Sequence, residues 1–302
     1  MINLEAVASL RAVQLEGSVV SAASALGFTP SGVSQQIKRL ERQAGVALLE
    51  RVGRGVILTQ AGRQLVEEGS RLLGEVEAIE SALHRESGTV AGTIRLVAFA
   101  TAVRGLVAPA LPLLLTGHPD LHVRLLERDP WDAIDLVASG QSDVGVVHSW
   151  GDVPLAIPEH VEQIDLAEDV ADVVMHRDHP RATQSILSPR DLIDETWIAT
   201  PDGTICREWL TRMHDGTGGR PNIVHQSTEF ESHIALVAAG LGVALVPRLG
   251  RSLLPDTVVA VAVHDPVPHR EISFIVRRTM NNSPSVSAIL SVLQDTVTKA
   301  QA

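Results

Sequence analysis

The sequence predicts an α/β protein with an N-terminal helix-turn-helix segment, a long linker helix and a C-terminal part made of two α/β lobes. Three observations predict it. Short amphipathic helices separated by turns fit residues 4–43, an apolar seam with heptad spacing runs through 60–84, and strand-like runs alternate with helical segments after residue 92. At 302 residues, the chain is long enough for two or three domains.

The first segment has the start and stop signals of three short helices. A helix is predicted over 4–15 and a second over 18–26, where small alanines let another helix approach closely. The third has Thr29 as a suitable N-cap, Pro30 at its first position and Gly45 after its end. This spacing is that of a helix-turn-helix.

The third helix has one apolar face and one polar face. Its apolar side chains recur at helical spacing and are expected to pack, which leaves the opposite face for a partner. Gln35 can pair with an adenine edge, and Ser31 or Ser34 can reach base edges or phosphates. Cations further along the helix would hold phosphates, namely Lys38, Arg39 and Arg42. The alternative is an ordinary solvated face, which explains any one of these residues equally well but not the whole arrangement.

The charge distribution agrees with this interpretation, although the net charge of −11 by itself argues against a nucleic-acid partner. Residues 29–63 hold six basic and two acidic side chains, a local charge of +4. Counterion release depends on the cations at the contact and not on distant carboxylates. The remaining acidity therefore does not exclude double-stranded DNA.

Residues 22–41 (AASALGFTPSGVSQQIKRLE), continued by Gly45, Leu48, Arg51 and residues 58–62, resemble the winged-helix signature of the LysR-type transcriptional regulators. Ala44 and Leu49 depart from the usual pattern, but both are apolar. The resemblance implies a winged helix-turn-helix DNA-binding domain over 1–59, with a wing over 51–58. The residues that it assigns to DNA are Ser18, Thr29, Pro30, Ser31, Ser34, Gln35, Lys38, Arg39, Arg51 and Arg54.

A linker helix is predicted from about residue 60 to 84, within a linker and hinge segment over 60–90. Its apolar seam is formed by Leu65, Leu72, Val76, Ile79 and Leu83, with glutamates outside it. We expect this helix to pair with that of a second chain, the alternative being packing on its own domain. A dimer would bind an inverted repeat whose half-sites lie about one helical turn, roughly 34–36 Å, or a multiple of that apart.

The C-terminal part alternates strands with helices, as an α/β fold does, and ligands are expected where strands end. The predicted strands are 93–99, 121–127, 143–148, 170–176, 196–199, 222–226, 243–246, 258–263 and 271–277. Stretches such as 106–112, 136–143 and 236–247 resemble the LysR effector domain, which is built like a periplasmic solute-binding protein. The resemblance implies a small-molecule effector domain over 91–302. Its lobes would be 91–160 plus 266–302 and 161–265, joined by two crossover strands.

The resemblance also places candidate effector-binding residues around the cleft. These are Thr101, Ala102, Arg128 and Ser149 in the first lobe, and Thr200, Pro201, Asp202, Gly203, Thr204, Glu229, Phe230 and Val246 in the second. Thr101 and Thr204 have ordinary N-capping as an alternative role. Arg128 either clamps a carboxylate or narrows the pocket. Asp202 and Glu229 would disfavour a polyanionic effector, unless they face solvent.

Other chemistry is weakly indicated. His176 and His179 lack the spacing of a helical zinc pair, and residues 240–242 lack the dinucleotide fingerprint, so neither a metal nor a cofactor is expected. Cys206 is the single cysteine and has no resolving partner, which does not favour a redox sensor. The charged N-terminus and the lack of an uncharged apolar run of ~18 residues predict a cytoplasmic protein that does not enter a membrane.

Two functions remain. The leading one is a ligand-responsive, sequence-specific DNA-binding transcriptional regulator, a homodimer or homotetramer for which RNA polymerase is a further candidate partner. It would not be an enzyme. The alternative is a two-lobed binding protein or enzyme whose N-terminal helices serve only assembly.

Overall fold

The computed structural model describes residues 2–53 and 55–301, which form two compact units. The N-terminal unit comprises the residues up to Thr89 together with 139–141 and 282–284, and the C-terminal unit comprises the rest. Each unit has its own apolar core.

The N-terminal unit contains the predicted helices, followed by a hairpin and a long helix. Its elements are α1 (Leu4–Glu16), α2 (Val19–Leu26), α3 (Pro30–Ala44), β1 (Leu49–Val52), β2 (Gly55–Leu58) and α4 (Gln60–Ser87). The N-cap prediction for Thr29 is confirmed, because its hydroxyl oxygen accepts the amide of Gly32 at 3.1 Å. Gly45 ends α3 in the left-handed conformation that glycine adopts without strain.

The core of this unit is aliphatic, and α3 is fixed in it from both ends. Val33, Ile37 and Leu40 are buried on the apolar face that the sequence predicts. At the end of α3, the Glu41 carboxylate accepts the amides of Leu48 (2.9 Å) and Leu49 (3.3 Å). These bonds tie the hairpin to α3, so the two are held in one rigid arrangement.

Helix α4 uses its two halves differently. Near its start, Val66 is buried and Gly69 lies so close to α1 that an added Cβ would be 2.4 Å from Val7 Cγ1. Beyond this point the seam is uncovered: Leu72 and Val76 are each 41 % exposed, and Ile79 and Leu83 are 62 % and 61 % exposed. The first half of α4 therefore packs on its own domain, and pairing with a second chain stays a prediction for the second half.

The C-terminal unit alternates strands and helices over much of its length. Its strands are β3 (Gly92–Ala98), β4 (Leu121–Glu127), β5 (Val144–His148), β6 (Val161–His176), β7 (Ile186–Leu187), β8 (Thr196–Ala199), β9 (Asn222–Gln226), β10 (Val243–Pro247), β11 (Val258–Val263) and β12 (His269–Arg277). Its helices are α5 (Ala100–Ala102), a π-helical turn (Val103–Val107), α6 (Ala108–Gly117), α7 (Pro130–Ala138), a 3-10 turn (Pro189–Leu192), α8 (Ile205–Met213), α9 (Phe230–Ala238) and α10 (Pro284–Gln301). Runs of consecutive strands occur at β5–β7 and β10–β12. Every predicted strand is present, with shifts of one or two residues at the ends, except that β6 begins at Val161, well before the predicted start at 170.

One long strand, β6, joins two lobes. The strand order is β4-β3-β5-β12-β6-β10-β8-β9, with β11 also paired to β6. Residues up to Val170 of β6 pair with β12 in the first lobe, whereas residues from Ala171 onward pair with β10 and β11 in the second. The predicted lobe boundary at 160 is therefore too early, because β6 completes the first sheet before it crosses.

The lobes bury separate cores. Leu96, Phe274 and Leu293 belong to the core of the first lobe, and Met175 and Trp197 to that of the second. Because each lobe has its own core, a cleft can form between the two lobes.

Within the described residues, one segment has the length and composition of a membrane span. It covers residues 100–117 and has a mean hydropathy of 1.4. It contains Arg104 and is interrupted by the π-helical turn, and Leu106 and Leu114 are buried in the core of the first lobe. Its apolar character is accounted for by packing on the sheet.

Candidate nucleic-acid interface and ligand cavity

The polar face of α3 is presented to the exterior of the N-terminal unit. Ser31, Gln35, Lys38 and Arg39 are exposed, and Ser34 is half-buried. The neighbouring Gln36 is used internally, because its Oε1 accepts the Ser9 hydroxyl at 2.6 Å. Of the two adjacent glutamines, Gln35 is therefore the one that can meet an external partner.

Three predicted DNA contacts also have structural roles at helix starts. The Thr29 hydroxyl caps α3 and lies 3.2 Å from that of Ser31. Ser18 caps α2 by accepting the amide of Ser21 at 3.0 Å, and Pro30 occupies the first position of α3. These roles orient the helix starts and are compatible with contacts to a phosphate.

The β1–β2 hairpin carries the predicted wing residues. Arg51 is exposed on β1 and lies opposite Val56, and Gly53 turns the chain with a φ of 59°. Arg54, the other wing residue assigned to DNA, lies outside the described residues.

The cations of this surface are not neutralised by carboxylates of the described part of the unit. Lys38, Arg39 and Arg51 are exposed and form no ion pair there, and Arg42 donates only to the carbonyl of Lys38, at 3.4 Å. Their charge is thus available to an external polyanion.

In the C-terminal unit, a cavity of about 290 Å³ lies between the two lobes. Its lining includes the residues that follow β3 and β4 in the first lobe, and the starts of α8 and α9 in the second. Six of the predicted effector residues line it, namely Thr101, Arg128, Thr200, Thr204, Glu229 and Phe230. Its volume is near the lower end of typical small-ligand pockets.

The other six predicted residues do not line this cavity. Ala102 and Val246 are buried in the cores of the two lobes. Asp202 is exposed and pairs with Arg207 at 3.0 Å. Ser149, Pro201 and Gly203 also lie outside the lining. The prediction followed strand ends and loop positions along the chain, whereas side-chain direction decides which residues line the cavity.

Sequence reasoning missed four chemically important residues of the lining. Asp129 and His148 are direct neighbours of predicted residues, so a wider window around strand ends would have found them. Cys206 was noted for its chemistry but not placed in the cleft. Arg270 lies near the start of β12, and its sequence neighbours give no indication of a binding role. It reaches the cleft because β12 runs antiparallel to β5.

Arg270 is the most deeply buried cation of the site, with 1 % of its surface exposed. Its Nε and Nη2 donate to Asp169 Oδ2 at 2.9 and 2.7 Å, and Nη2 also donates to the Thr101 hydroxyl at 2.7 Å. The guanidinium carbon lies 5.0 Å from the ring centre of Phe99 and 5.4 Å from that of Trp150. Burial lowers the pKa of Arg270, and the nearby Asp169 opposes this effect.

Burial also shifts the pKa of three other groups of the cavity. It raises the pKa of Asp129 to about 6, although the amides of Trp131 and Ile205 donate to this carboxyl. It lowers the pKa of His148, which Arg270 lowers further. It raises the pKa of the Cys206 thiol to about 12, so the thiolate is disfavoured.

Two contacts of Arg104 bridge the lobes beside the cavity. Its Nε donates to the carbonyl of Gly250 at 2.9 Å, and its Nη1 lies 3.6 Å from Glu229 Oε2. Among the described residues, no cluster of three or more His, Cys, Asp or Glu side chains could hold a metal ion. The arrangement is therefore that of a binding cleft whose two walls are in polar contact.

Comparisons with known proteins cover both units. The family model described as "LysR substrate binding domain" matches residues 87–298, and that described as "Bacterial regulatory helix-turn-helix protein, lysR family" matches residues 4–63. The hydrogen peroxide-inducible genes activator of Pectobacterium carotovorum subsp. carotovorum is 28 % identical over 250 residues, which cover 81 % of this chain and 80 % of the relative. The probable HTH-type transcriptional regulator LrrA of Synechococcus elongatus is 27 % identical over 305 residues and 99 % of each chain.

Solved structures have the same fold. A full-length OxyR variant from Pseudomonas aeruginosa matches with a TM-score of 0.73 at 20 % identity, covering 97 % of this chain and 95 % of that one. Full-length CbnR in complex with its target DNA matches with a TM-score of 0.58 at 20 % identity, covering 98 % and 100 % of the two chains.

Proposed function

Because the chain belongs to the LysR family of ligand-responsive, DNA-binding transcriptional regulators, we propose that α3 and the β1–β2 hairpin read its DNA site and that the cavity between the lobes takes its effector. The protein is a regulator and not an enzyme. The observation that carries the DNA-reading part is the exposed face of α3, on which polar side chains and unneutralised cations lie together. The observation that carries the effector-binding part is the cavity between the two lobes.

We assign base reading to the N-terminal half of α3 and backbone contacts to its cations. Gln35 is long enough to pair with an adenine edge in the major groove, and Ser31 lies one turn before it. Lys38 and Arg39 would hold phosphates on the flanking strand, as would Arg51 on the hairpin.

The functional unit is proposed to be a dimer joined through residues 60–84, with pairing of dimers into a tetramer. The uncovered seam of α4 supports this, since exposed aliphatic side chains at heptad spacing are stabilised by a second helix. Two α3 helices related by a dyad would then meet an inverted repeat. We place the protein in the cytoplasm, with RNA polymerase as a further partner.

Effector binding is proposed to act by changing how the lobes meet. Arg104 joins the lobes through Glu229 and Gly250 at the edge of the cavity. A ligand that contacts both walls would stabilise one arrangement of the lobes relative to another. The ligand shifts the balance between the two arrangements only if it binds them with different affinities.

The peroxide response for which one relative is named is not proposed for this chain. A peroxide sensor needs an accessible thiolate, and burial raises the pKa of the Cys206 thiol to about 12.

The DNA-reading proposal is tested with the full chain and a DNA fragment from upstream of its own gene. Gln35→Ala should weaken specific binding by about fivefold or more, because a bidentate base contact is worth about 1–3 kcal/mol, and should relax sequence preference at one position per half-site. Gln184→Ala is the matched control, since Gln184 is exposed in the C-terminal unit. Footprinting and fluorescence anisotropy would measure both effects; unchanged affinity and sequence preference in Gln35→Ala would contradict the assignment.

A further inference from the structure

One hydrogen-bond donor of the cavity has no partner. Of the three guanidinium nitrogens of Arg270, Nε and Nη2 are used by Asp169 and Thr101, whereas Nη1 is buried and has no hydrogen-bond partner among the described residues. A buried donor of a charged group that stays unpaired is costly, so such groups are normally satisfied. The side chain lines the cavity, where a ligand atom would satisfy it.

The carboxylate of Asp169, which pairs with Arg270, is also held by a backbone amide. Both oxygens of Asp169 are occupied, Oδ2 by Arg270 and Oδ1 by the amide of Leu249 at 3.0 Å. The Phe99 and Trp150 rings lie against the guanidinium and hold it in place. Arg270 is therefore a preorganised cation with one direction open to an acceptor.

We infer that the effector cavity binds a small organic monocarboxylate, whose carboxylate accepts a hydrogen bond from Arg270 Nη1. This inference deepens the proposed function, because it names the chemical class of the effector at that site. The cavity of about 290 Å³ suits a compact acid and not a nucleotide or a sugar phosphate.

The charge of the lining limits the ligand to one negative charge. Glu127, Asp129 and Glu229 share the cavity with Arg128 and Arg270, so carboxyl groups outnumber cations. A dianion would meet more repulsion than one guanidinium can offset, whereas a monoanion placed at Arg270 keeps its charge beside the buried cation. Hydroxyl or amino groups elsewhere on the ligand could donate to Glu229 or Asp129.

Arg128, the cation that the sequence suggested as a clamp, is less suited to this role. It is exposed, and its Nη1 donates to the carbonyl of Glu127 at 2.7 Å. An exposed and flexible cation binds a carboxylate weakly, because water competes and side-chain entropy is lost. Arg128 is therefore the competing candidate, which the test must separate from Arg270.

The test measures binding of two acids and their neutral amides to the full-length protein in chloride-free buffer. The probes are butyrate with butyramide, and cyclohexanecarboxylate with cyclohexanecarboxamide; sulfate is the inorganic control. Titration calorimetry gives the affinity, and tryptophan fluorescence reports on the site because Trp150 lies against Arg270. We expect at least one acid to bind tenfold or more tightly than its amide and than sulfate.

Variants locate the carboxylate. Arg270→Lys keeps the charge but changes the donor geometry and should weaken acid binding at least tenfold, and more than Arg128→Gln does. Arg190→Gln is the control, because Arg190 is exposed and lies outside the cavity lining, and it should change acid binding less than twofold. Asp169→Asn combined with Arg270→Gln removes both charges of the buried pair and should abolish the preference for acid over amide. Should these variants not fold, the comparison of acid with amide in the unmodified protein still decides the inference.

The inference would be overturned if neither acid bound at 10 mM, on the order of the weakest affinity expected of so small a ligand. It would also be overturned if acid and amide bound equally, or if sulfate bound more tightly than the acids. Acid binding that depended on Arg128 instead of Arg270 would likewise contradict it. Failure here is distinguishable from failure of the proposed function. If DNA binding depends on Gln35 but no acid binds, only the effector class is wrong, whereas loss of the Gln35 effect with intact acid binding would contradict the DNA-reading assignment.

Discussion

At the scale of single residues, burial shifts pKa values in a way that the sequence alone does not indicate. Asp129 follows Arg128 along the chain and looks like any loop aspartate. In the folded protein it lies half-buried at the start of α7, and burial raises its pKa to about 6. Its two amide donors, Trp131 and Ile205, belong to different lobes, which sequence proximity cannot reveal.

Asp129 makes the stability of the C-terminal unit depend on pH. Between its usual pKa of 3.8 and about 6, the folded protein holds a proton that the unfolded chain releases, so the free energy of unfolding falls as the pH rises through this window. Asp129→Asn cannot ionise and should be more stable than the wild type at pH 7 by about 1–3 kcal/mol, with a difference that shrinks towards pH 4.

Chemical denaturation followed by tryptophan fluorescence would measure this difference. All four tryptophans lie in the C-terminal unit, so the signal reports on that unit. Asp256→Asn is the control, because Asp256 is exposed. A stability difference that did not change between pH 4 and pH 7 would show that Asp129 does not titrate in this window.

At the scale of secondary structure elements, local signals predicted the helices and strands well. The caps Asn3, Ser18 and Thr29 and the left-handed Gly17 and Gly45 mark the helix ends because capping depends on neighbours within four residues. The two-residue strand β7 and the first half of β6 were missed. Residues 162–168 of β6 are half-buried or exposed and contain no strong apolar run, and β12 beside them supplies the pairing.

The uncovered seam of α4 should hold the dimer together. Ile79→Glu places a charge where the seam would be buried between two helices and should shift the protein from dimer to monomer, raising the dissociation constant at least tenfold. Gln64→Glu introduces the same side chain at an exposed position outside the seam and should leave the assembly unchanged. Analytical ultracentrifugation over a range of concentrations would compare the two; a dimer retained in Ile79→Glu would assign assembly to another surface.

At the scale of the whole molecule, the charge pattern has a functional meaning that the total hides. The chain carries a net −11, yet Lys38 and Arg39 on α3 and Arg51 on the hairpin lie together on one surface and form no ion pair among the described residues. Affinity for DNA depends on these local cations, because it is they that displace counterions from the phosphates.

A dimer with two DNA-reading helices requires both half-sites to lie on the same face of the DNA. Inserting 5 base pairs between the half-sites rotates one half-site by about half a turn and should weaken binding at least tenfold, whereas inserting 10 base pairs restores the face and should weaken binding less; the helical repeat is about 10–10.5 base pairs. Fluorescence anisotropy on the three DNA fragments would measure this. Equal affinity for all three would mean that one half-site suffices.

The sequence by itself determined the helix-turn-helix, the linker helix, the α/β alternation and the family, since periodicity, capping and signature residues act over short stretches. Half of the effector-binding residues that it predicted line the cavity, because strand ends and helix starts converge in such folds. Only the tertiary structure decided which side chains point into the cavity. Arg270, Asp129 and His148 come from separate elements, and their pairing, burial and pKa shifts arise from long-range packing that brings β12, α7 and β5 together.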